Sequence, residues 1–247
     1  MKNDTIHLMK EKAGRSAVDE MVESGMKLGL GTGTTAVFAV RRVAELLAKG
    51  ELRNISVFAT SFQTEIECEK NKIPFYQLNS HKLEGSLDLT IDGADKVDSK
   101  NHLIKGGGGA LLLEKIAAYA SASYVIVVDE SKITDSLALD FPVPVEVVPT
   151  ARVLVTKSLE ALDAKVVLRE ALQKCGPEIT EHGNIILDIY FTSPVDAVLM
   201  ERDINLIPGV VENGFFTKVN PLVYIARRDL SIEKRRFAQS SMEIVYS

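Results

Sequence analysis

Met26-Lys27-Leu28-Gly29-Leu30-Gly31-Thr32-Gly33-Thr34-Thr35-Ala36 reads as a short apolar strand that runs into a glycine-rich turn and then into a helix start. Glycines let the main chain bend tightly and approach an anion. The first amides of the helix, with the hydroxyls of Thr32, Thr34 and Thr35, can donate to phosphate oxygens. Outward from this turn the pattern repeats. Ala36 to Ala48 has helical apolar spacing closed near Gly50, Ile55 to Ala59 is a second strand, and a helix begins at about Phe62. Leu87 to Ile91 is a third strand, a helix runs from about Gly109 to Ala122, and Tyr124 to Val128 is a fourth strand. Upstream, Ile6, Met9, Ala13, Ala17, Val18, Met21 and Val22 recur at helical spacing in an opening helix from Asp4 to Ser24. Strands alternating with helices imply an α/β fold built on a parallel sheet buried on both faces.

After Asp140 the texture changes. Pro142, Pro144 and Pro149 punctuate the valine-rich stretch PVPVEVVP, which suits an edge strand or a crossing between domains. Thr150 to Leu162 reads as a helix, Ala164 to Arg169 and Ile185 to Phe191 as strands, and Val195 to Leu206 as a helix, together a small α+β unit. Val210 to Phe216 and Leu222 to Ala226 return to strand pattern and are expected to rejoin the large sheet. The expected organisation is a large domain of residues 1–140 plus 208–247 with a small domain of residues 141–207 inserted in it.

The 247 residues carry a formal charge of -5, and Lys234 to Arg236 is the only short basic cluster, read as a solvated helix face or turn. A nucleic-acid partner is not expected. No apolar run approaches the roughly 18 residues of a membrane span, so no membrane partner is expected either. Met1-Lys2-Asn3-Asp4 opens without an apolar leader, and Cys68 and Cys175 lie far apart with no C-x-x-C spacing, so the expected location is the cytoplasm. His7, His81, His102 and His182 show no ligand spacing, and no essential metal is expected.

Three further stretches carry chemistry. Asp92-Gly93-Ala94-Asp95 follows the third strand, and ligands of open α/β sheets bind outside the carboxyl ends of strands. An Asp-Gly turn with Asp95 as a helix cap is the plainer alternative. Lys105-Gly106-Gly107-Gly108-Gly109 precedes a helix that carries Glu114 one turn or more inside. Four consecutive glycines cost backbone entropy and pack nothing, which suggests that a ligand approaches the main chain there. Lys105 offers a cation at the loop entrance; alone, either it or Glu114 would read as a surface charge. Asp129-Glu130-Ser131-Lys132 lies after the fourth strand, where Lys132 can bind an anion. The first turn also fits the dinucleotide pattern G-x-G-x-x-A, but the next strand ends in Thr60-Ser61 rather than in the acidic residue a nicotinamide enzyme wants.

Together, GLGTGTTA, the Thr60-Ser61 step, DGAD, KGGGGA with Glu114, DESK, GNIILDIYF and IPGVVENGFF resemble the type A family of ribose-5-phosphate isomerases, in order along nearly the whole chain. The resemblance implies a Rossmann-like domain with a smaller α+β, ferredoxin-like domain, and interconversion of ribose 5-phosphate and ribulose 5-phosphate without metal or organic cofactor. It makes Glu114 the general base, Asp92 and Asp95 the acids that handle sugar hydroxyls, and Lys105 the partner of the reacting oxygen. Thr32, Gly33, Thr34, Thr35 and Lys132 then hold phosphate, Gly93 and Ala94 line the substrate, and Gly106, Gly107 and Gly108 shape the sugar-binding loop. Lys96 and Leu112-Leu113 depart from the family pattern, and Lys12 is the nearest candidate for a basic residue contributed by the first helix. A homodimer or homotetramer is expected. The alternatives are another sugar-phosphate isomerase or deaminase, or a non-catalytic sugar-phosphate sensor.

Overall fold

The computed structural model describes residues 2–238 and 241–246. Helix α1 (Lys2–Met21) is followed by β1 (Lys27–Leu30), α2 (Ala36–Ala48), β2 (Ser56–Ala59), α3 (Phe62–Lys70), β3 (Leu87–Asp92), β4 (Lys96–Val97), β5 (Leu103–Ile104), α4 (Leu111–Ala120) and β6 (Ser121–Asp129). The second half supplies β7 (Val143–Val147), α5 (Arg152–Glu160), β8 (Lys165–Leu168), β9 (Ile185–Tyr190), α6 (Ala197–Asn205) and β10 (Val210–Asn213). It closes with β11 (Phe215–Phe216), β12 (Leu222–Ala226), β13 (Ile232–Ala238) and β14 (Ser241–Tyr246). The contacts divide the chain into two units. One takes in residues up to 94, 113–132 and from 219 onward; the other takes in 95–112 and 133–218.

The first unit holds a seven-stranded sheet in the order β14-β13-β12-β6-β3-β1-β2. The five strands from β12 to β2 run parallel, and β13 and β14 extend the sheet antiparallel. Helix α1 sends Met9, Ala13, Ala17 and Val18 into one core with Leu28, Leu30, Leu89, Ile91, Val125 and Val127 of the strands. A second cluster joins Phe58 and Leu87 to Ala117 of α4. Each large apolar side chain so buried contributes roughly 1.5–3 kcal/mol, which the unbroken valine and isoleucine run of β6 multiplies. From β1 the chain turns toward β2 and then returns on the other side of β1 as β3. That reversal opens a crevice at the carboxyl ends of β1 and β3, the place where such sheets take ligands.

Lys234 to Arg236 is not a helix face or a turn. It lies in β13, in antiparallel register with β12, where alternate residues face opposite sides of the sheet. Arg235 is buried, while Lys234 reaches the Glu20 carboxylate at 2.6 Å and lies over the Tyr224 ring. The same Glu20 accepts the Tyr224 hydroxyl, and burial, with the Glu20 charge, pushes that phenol well above its ordinary value.

In the second unit, β7-α5-β8-β9-α6-β10 folds into an antiparallel sheet of order β10-β7-β9-β8, the ferredoxin-like arrangement. The stretch PVPVEVVP is therefore neither an edge nor a crossing: β7 sits inside the sheet, with Val143, Val145 and Val147 in the core beside Val155, Leu187 and Ile189. A proline is tolerated there because its missing donor is replaced. Gly214 N donates to Pro144 O (2.8 Å), and Gly214 O accepts instead from Lys105 N (2.9 Å). A Cβ at position 214 would stand 2.5 Å from Lys105 O, so only glycine permits this approach.

The expectation that Val210 to Phe216 rejoins the large sheet fails. β10 pairs with β7, and β11 pairs with β5 in a separate small sheet of order β11-β5-β4. Only Leu222 to Ala226 returns, as β12 beside β6. These pairings are what group residues 95–112 and 208–218 with the ferredoxin-like strands.

Candidate active site

The phosphate-binding candidates sit in the first unit. Gly33 has φ of +109°, a conformation that glycine adopts without strain and that turns the chain from β1 into α2. Val37 N donates to Gly33 O, so the amides just before it are the helix's initial donors, which have no partner within the helix. Thr34 is exposed, and its Oγ1 accepts from Lys10 Nζ at 2.9 Å. Thr35 caps α2 without a side-chain hydrogen bond. A cavity of about 870 Å³ adjoins this turn, lined by Lys10, Gly33, Thr34, Arg41 and Lys70 among others.

Thr32 behaves differently from its neighbours. Its Oγ1 lies 2.8 Å from Thr60 Oγ1 and 2.6 Å from Ser61 Oγ, and Thr64 Oγ1 donates to Gly31 O. Thr32 thus ties the turn to the end of β2, where Ser61 also caps α3 through Thr64 N. The position where a nicotinamide enzyme would place its acidic residue is occupied by this hydroxyl network.

Asp92 ends β3 and is fully buried. Its Oδ1 accepts from Thr32 N (3.1 Å) and Gly93 N (2.7 Å), so one carboxylate bridges the crevice between β1 and β3 and fixes the first residue of the DGAD segment. Glu114, in the first turn of α4, is 5% exposed. Lys132 closes the short helical turn after β6, a turn held by Asp129 Oδ1, which accepts from Ser131 N and Oγ. Arg228 Nε holds Glu130 at 2.7 Å, leaving Lys132 as the cation of DESK outside that ion pair.

Gly93 and Ala94 close this stretch of the first unit, and the remaining candidates, Asp95, Lys105, Gly106, Gly107 and Gly108, lie in the second unit. Asp95 Oδ2 accepts from Gly107 N at 2.8 Å, so this carboxylate anchors the glycine loop. A Cβ at 107 would stand 2.8 Å from Asp95 Oδ1. Lys105 is 2% exposed, its main chain is held by Gly214, and its ammonium lies over the Phe216 ring. Gly106 is buried and Gly108 exposed, with open space where its Cβ would be.

Two residues of these sites carried no signal in the sequence. From the first helix it is Lys10, not Lys12, that reaches Thr34: at 100° per residue, two positions place Lys12 about 200° away, on the exposed side. Arg169, at the end of β8, hydrogen-bonds the carbonyls of Gly106 and Gly107. It looks like an ordinary strand-end charge until the loop 62 residues earlier is seen beneath it.

The family model of ribose 5-phosphate isomerase A (phosphoriboisomerase A) matches residues 56–230, a span that contains Asp92, Asp95, Lys105, Glu114 and Lys132. The chain belongs to this family. As a member of it the protein is an isomerase, not the nicotinamide enzyme whose G-x-G-x-x-A pattern its first turn also fits. The ribose-5-phosphate isomerase A of Treponema denticola is 49% identical over 232 residues, covering 91% of this chain and 97% of that relative. The ribose 5-phosphate isomerase A of Methanocaldococcus jannaschii superposes with a TM-score of 0.83 at 36% identity, covering 97% of this chain and 98% of its own. A D-ribose-5-phosphate isomerase in complex with phospho-erythronic acid gives a TM-score of 0.85 at 34% identity, with the same coverage of both chains. The similarity spans both units and so supports the Rossmann-like and ferredoxin-like assignment as a whole.

Proposed function

We propose that the chain interconverts D-ribose 5-phosphate and D-ribulose 5-phosphate through an enediolate, with Glu114 as general base. The observation that carries this reading is that one unit holds both the glycine- and threonine-rich turn, with Lys10 on Thr34, and two buried carboxylates, Asp92 and Glu114. Phosphate capture and proton transfer then share one frame, which is what orientation of a small sugar requires.

The isomerisation moves a hydrogen between C2 of the aldose and C1 of the ketose. Glu114 takes the proton from C2, leaving an enediolate, and returns it to C1. Asp92 serves ring opening and the exchange of hydroxyl protons. The Lys105 ammonium and the loop amides stabilise the negative oxygen as it develops. Asp95 acts through the loop, since its carboxylate is engaged by Gly107 N. Thr34, Lys132 and Lys10 hold the phosphate, with Gly33 and Thr35 supplying main-chain donors and Thr32 keeping the turn in place. Gly93 and Ala94 line the substrate. The reaction needs no metal or organic cofactor, and the working form is a cytoplasmic homodimer or homotetramer.

The test is a metal-free assay that follows ribulose 5-phosphate formation in the presence of a chelator, with glucosamine 6-phosphate in parallel. Chelator-insensitive turnover of ribose 5-phosphate alone is expected. Chelator-sensitive activity, or turnover of the amino sugar instead, would overturn the proposal.

A further inference from the structure

Arg169 follows β8, and its main chain is pinned on both sides: Arg169 N donates to Ile186 O and Glu178 N donates to Arg169 O, each at 2.9 Å. Its guanidinium is 13% exposed and divided between two tasks. Nε and Nη2 fork onto the Asp188 carboxylate at 2.8 and 2.5 Å, while Nη1 donates to Gly106 O (3.0 Å) and Gly107 O (3.3 Å). Burial works against the charge, but the Asp188 hydrogen bonds, with the nearby charges of Asp188, Glu178 and Asp95, hold the guanidinium above its ordinary value. A planar fork fixed on one side can aim its remaining nitrogen; a lysine ammonium cannot do both.

The consequence follows from peptide geometry. In a planar trans peptide the N–H points opposite to the C=O. With Gly106 O turned to Arg169, Gly107 N–H points the other way, and there Asp95 accepts it. With Gly107 O also turned to Arg169, the next amide, Gly108 N–H, must likewise point away from the guanidinium. Gly108 is exposed, and a Cβ there would meet nothing within 4 Å. A cation on the carbonyl side also polarises the peptide and makes that N–H a stronger donor.

We propose that Arg169 is a positioning residue for the isomerisation: by holding the carbonyls of Gly106 and Gly107 against the Asp188 fork, it aims the Gly108 amide at the oxygen that becomes negative in the enediolate. This rests on the reading under Proposed function and adds to it the group that sets the loop. Arg169 itself touches no substrate atom.

The test compares wild type with Arg169→Gln and Arg169→Lys, measuring kcat and KM for ribose 5-phosphate and the inhibition constant of phospho-erythronic acid. The carboxylate of that acid carries its charge on oxygen, as the enediolate does. Loss of one oxyanion donor costs about 100-fold or more, so a misaimed one should lower kcat by about 10- to 100-fold, with KM changed less than about threefold. The inhibition constant should rise by a similar factor in both variants. A loss of folded enzyme alone would lower kcat and leave the inhibition constant unchanged. That result, or kcat within about threefold of wild type, would overturn the proposal. Should Arg169→Gln fail to fold, Arg169→Lys, which keeps the charge and lacks the fork, gives the same reading. Wild type inactive on ribose 5-phosphate would instead overturn the proposed function.

Discussion

Thr34, Lys10 and Lys132 are the polar side chains of the first unit that the proposed function assigns to the phosphate. Thr34 is exposed and meets Lys10, and the ion pairs of the Lys132 turn are made by its neighbours. Groups that bind the unreacting end of a substrate act on capture more than on the chemical step. Replacing Lys132 or Thr34 by alanine should therefore raise KM for ribose 5-phosphate about tenfold, with kcat within about threefold; steady-state kinetics reads both. A KM unchanged in both variants would remove them from the phosphate site. Lys132 is readable as a candidate because it follows a strand at the carboxyl edge. Lys10 is not, because only the rotation of α1 against α2 decides which of several helix lysines faces Thr34, and periodicity fixes that phase no better than a residue or two.

At the scale of elements, α1 and α2 are joined by a polar clamp as well as by their apolar faces. Glu45 of α2 takes a paired hydrogen bond from Arg15 of α1 at 2.7 and 2.8 Å and a third from Arg42, which also holds Asp19. These bonds, Arg15 first and Arg42 next, hold the Glu45 carboxyl down at about 2, against an ordinary value of 4.5. A folded-state value below the unfolded one means stability that is present above pH 4.5 and is lost as pH falls toward 2. The carboxylate is 41% exposed, so solvent screens the clamp and its loss costs about 1 kcal/mol or less. In thermal melts, Glu45→Gln should be less stable than wild type at pH 7, and the gap should close as pH falls through 4.5 toward 2; a gap of constant size would contradict this. The long elements of this unit were readable because α2 and β1 to β3 keep one hydrophobic period each. β4 and β5, two residues apiece, carry too little pattern to be seen, and they exist through pairing with each other and with β11. PVPVEVVP was misjudged for a related reason: the proline rule assumes that a strand neighbour must receive the donor, and here Lys105 N supplies it.

At the scale of the whole molecule, the chain first passes to the second unit between Ala94 and Asp95 and returns between Leu112 and Leu113, within DGAD and just before Glu114; it passes again right after DESK, between Lys132 and Ile133, and returns between Lys218 and Val219. The motifs that made the fold and the chemistry legible are thus also the points where the chain changes unit. Local pattern identifies such loops by their glycines and acids, but it does not assign them to a unit, which is why residues 95–112 were expected with the large sheet. Arg169 escaped notice for the same reason, since its meaning lies in a loop distant in sequence. The central claim is that Glu114 moves the proton. The direct measurement is turnover of Glu114→Gln on ribose 5-phosphate, together with deuterium uptake from heavy water into the sugar. A fall in kcat of about 100-fold or more, a KM little changed and loss of exchange in step with turnover are predicted. Turnover and exchange near wild type would contradict the account.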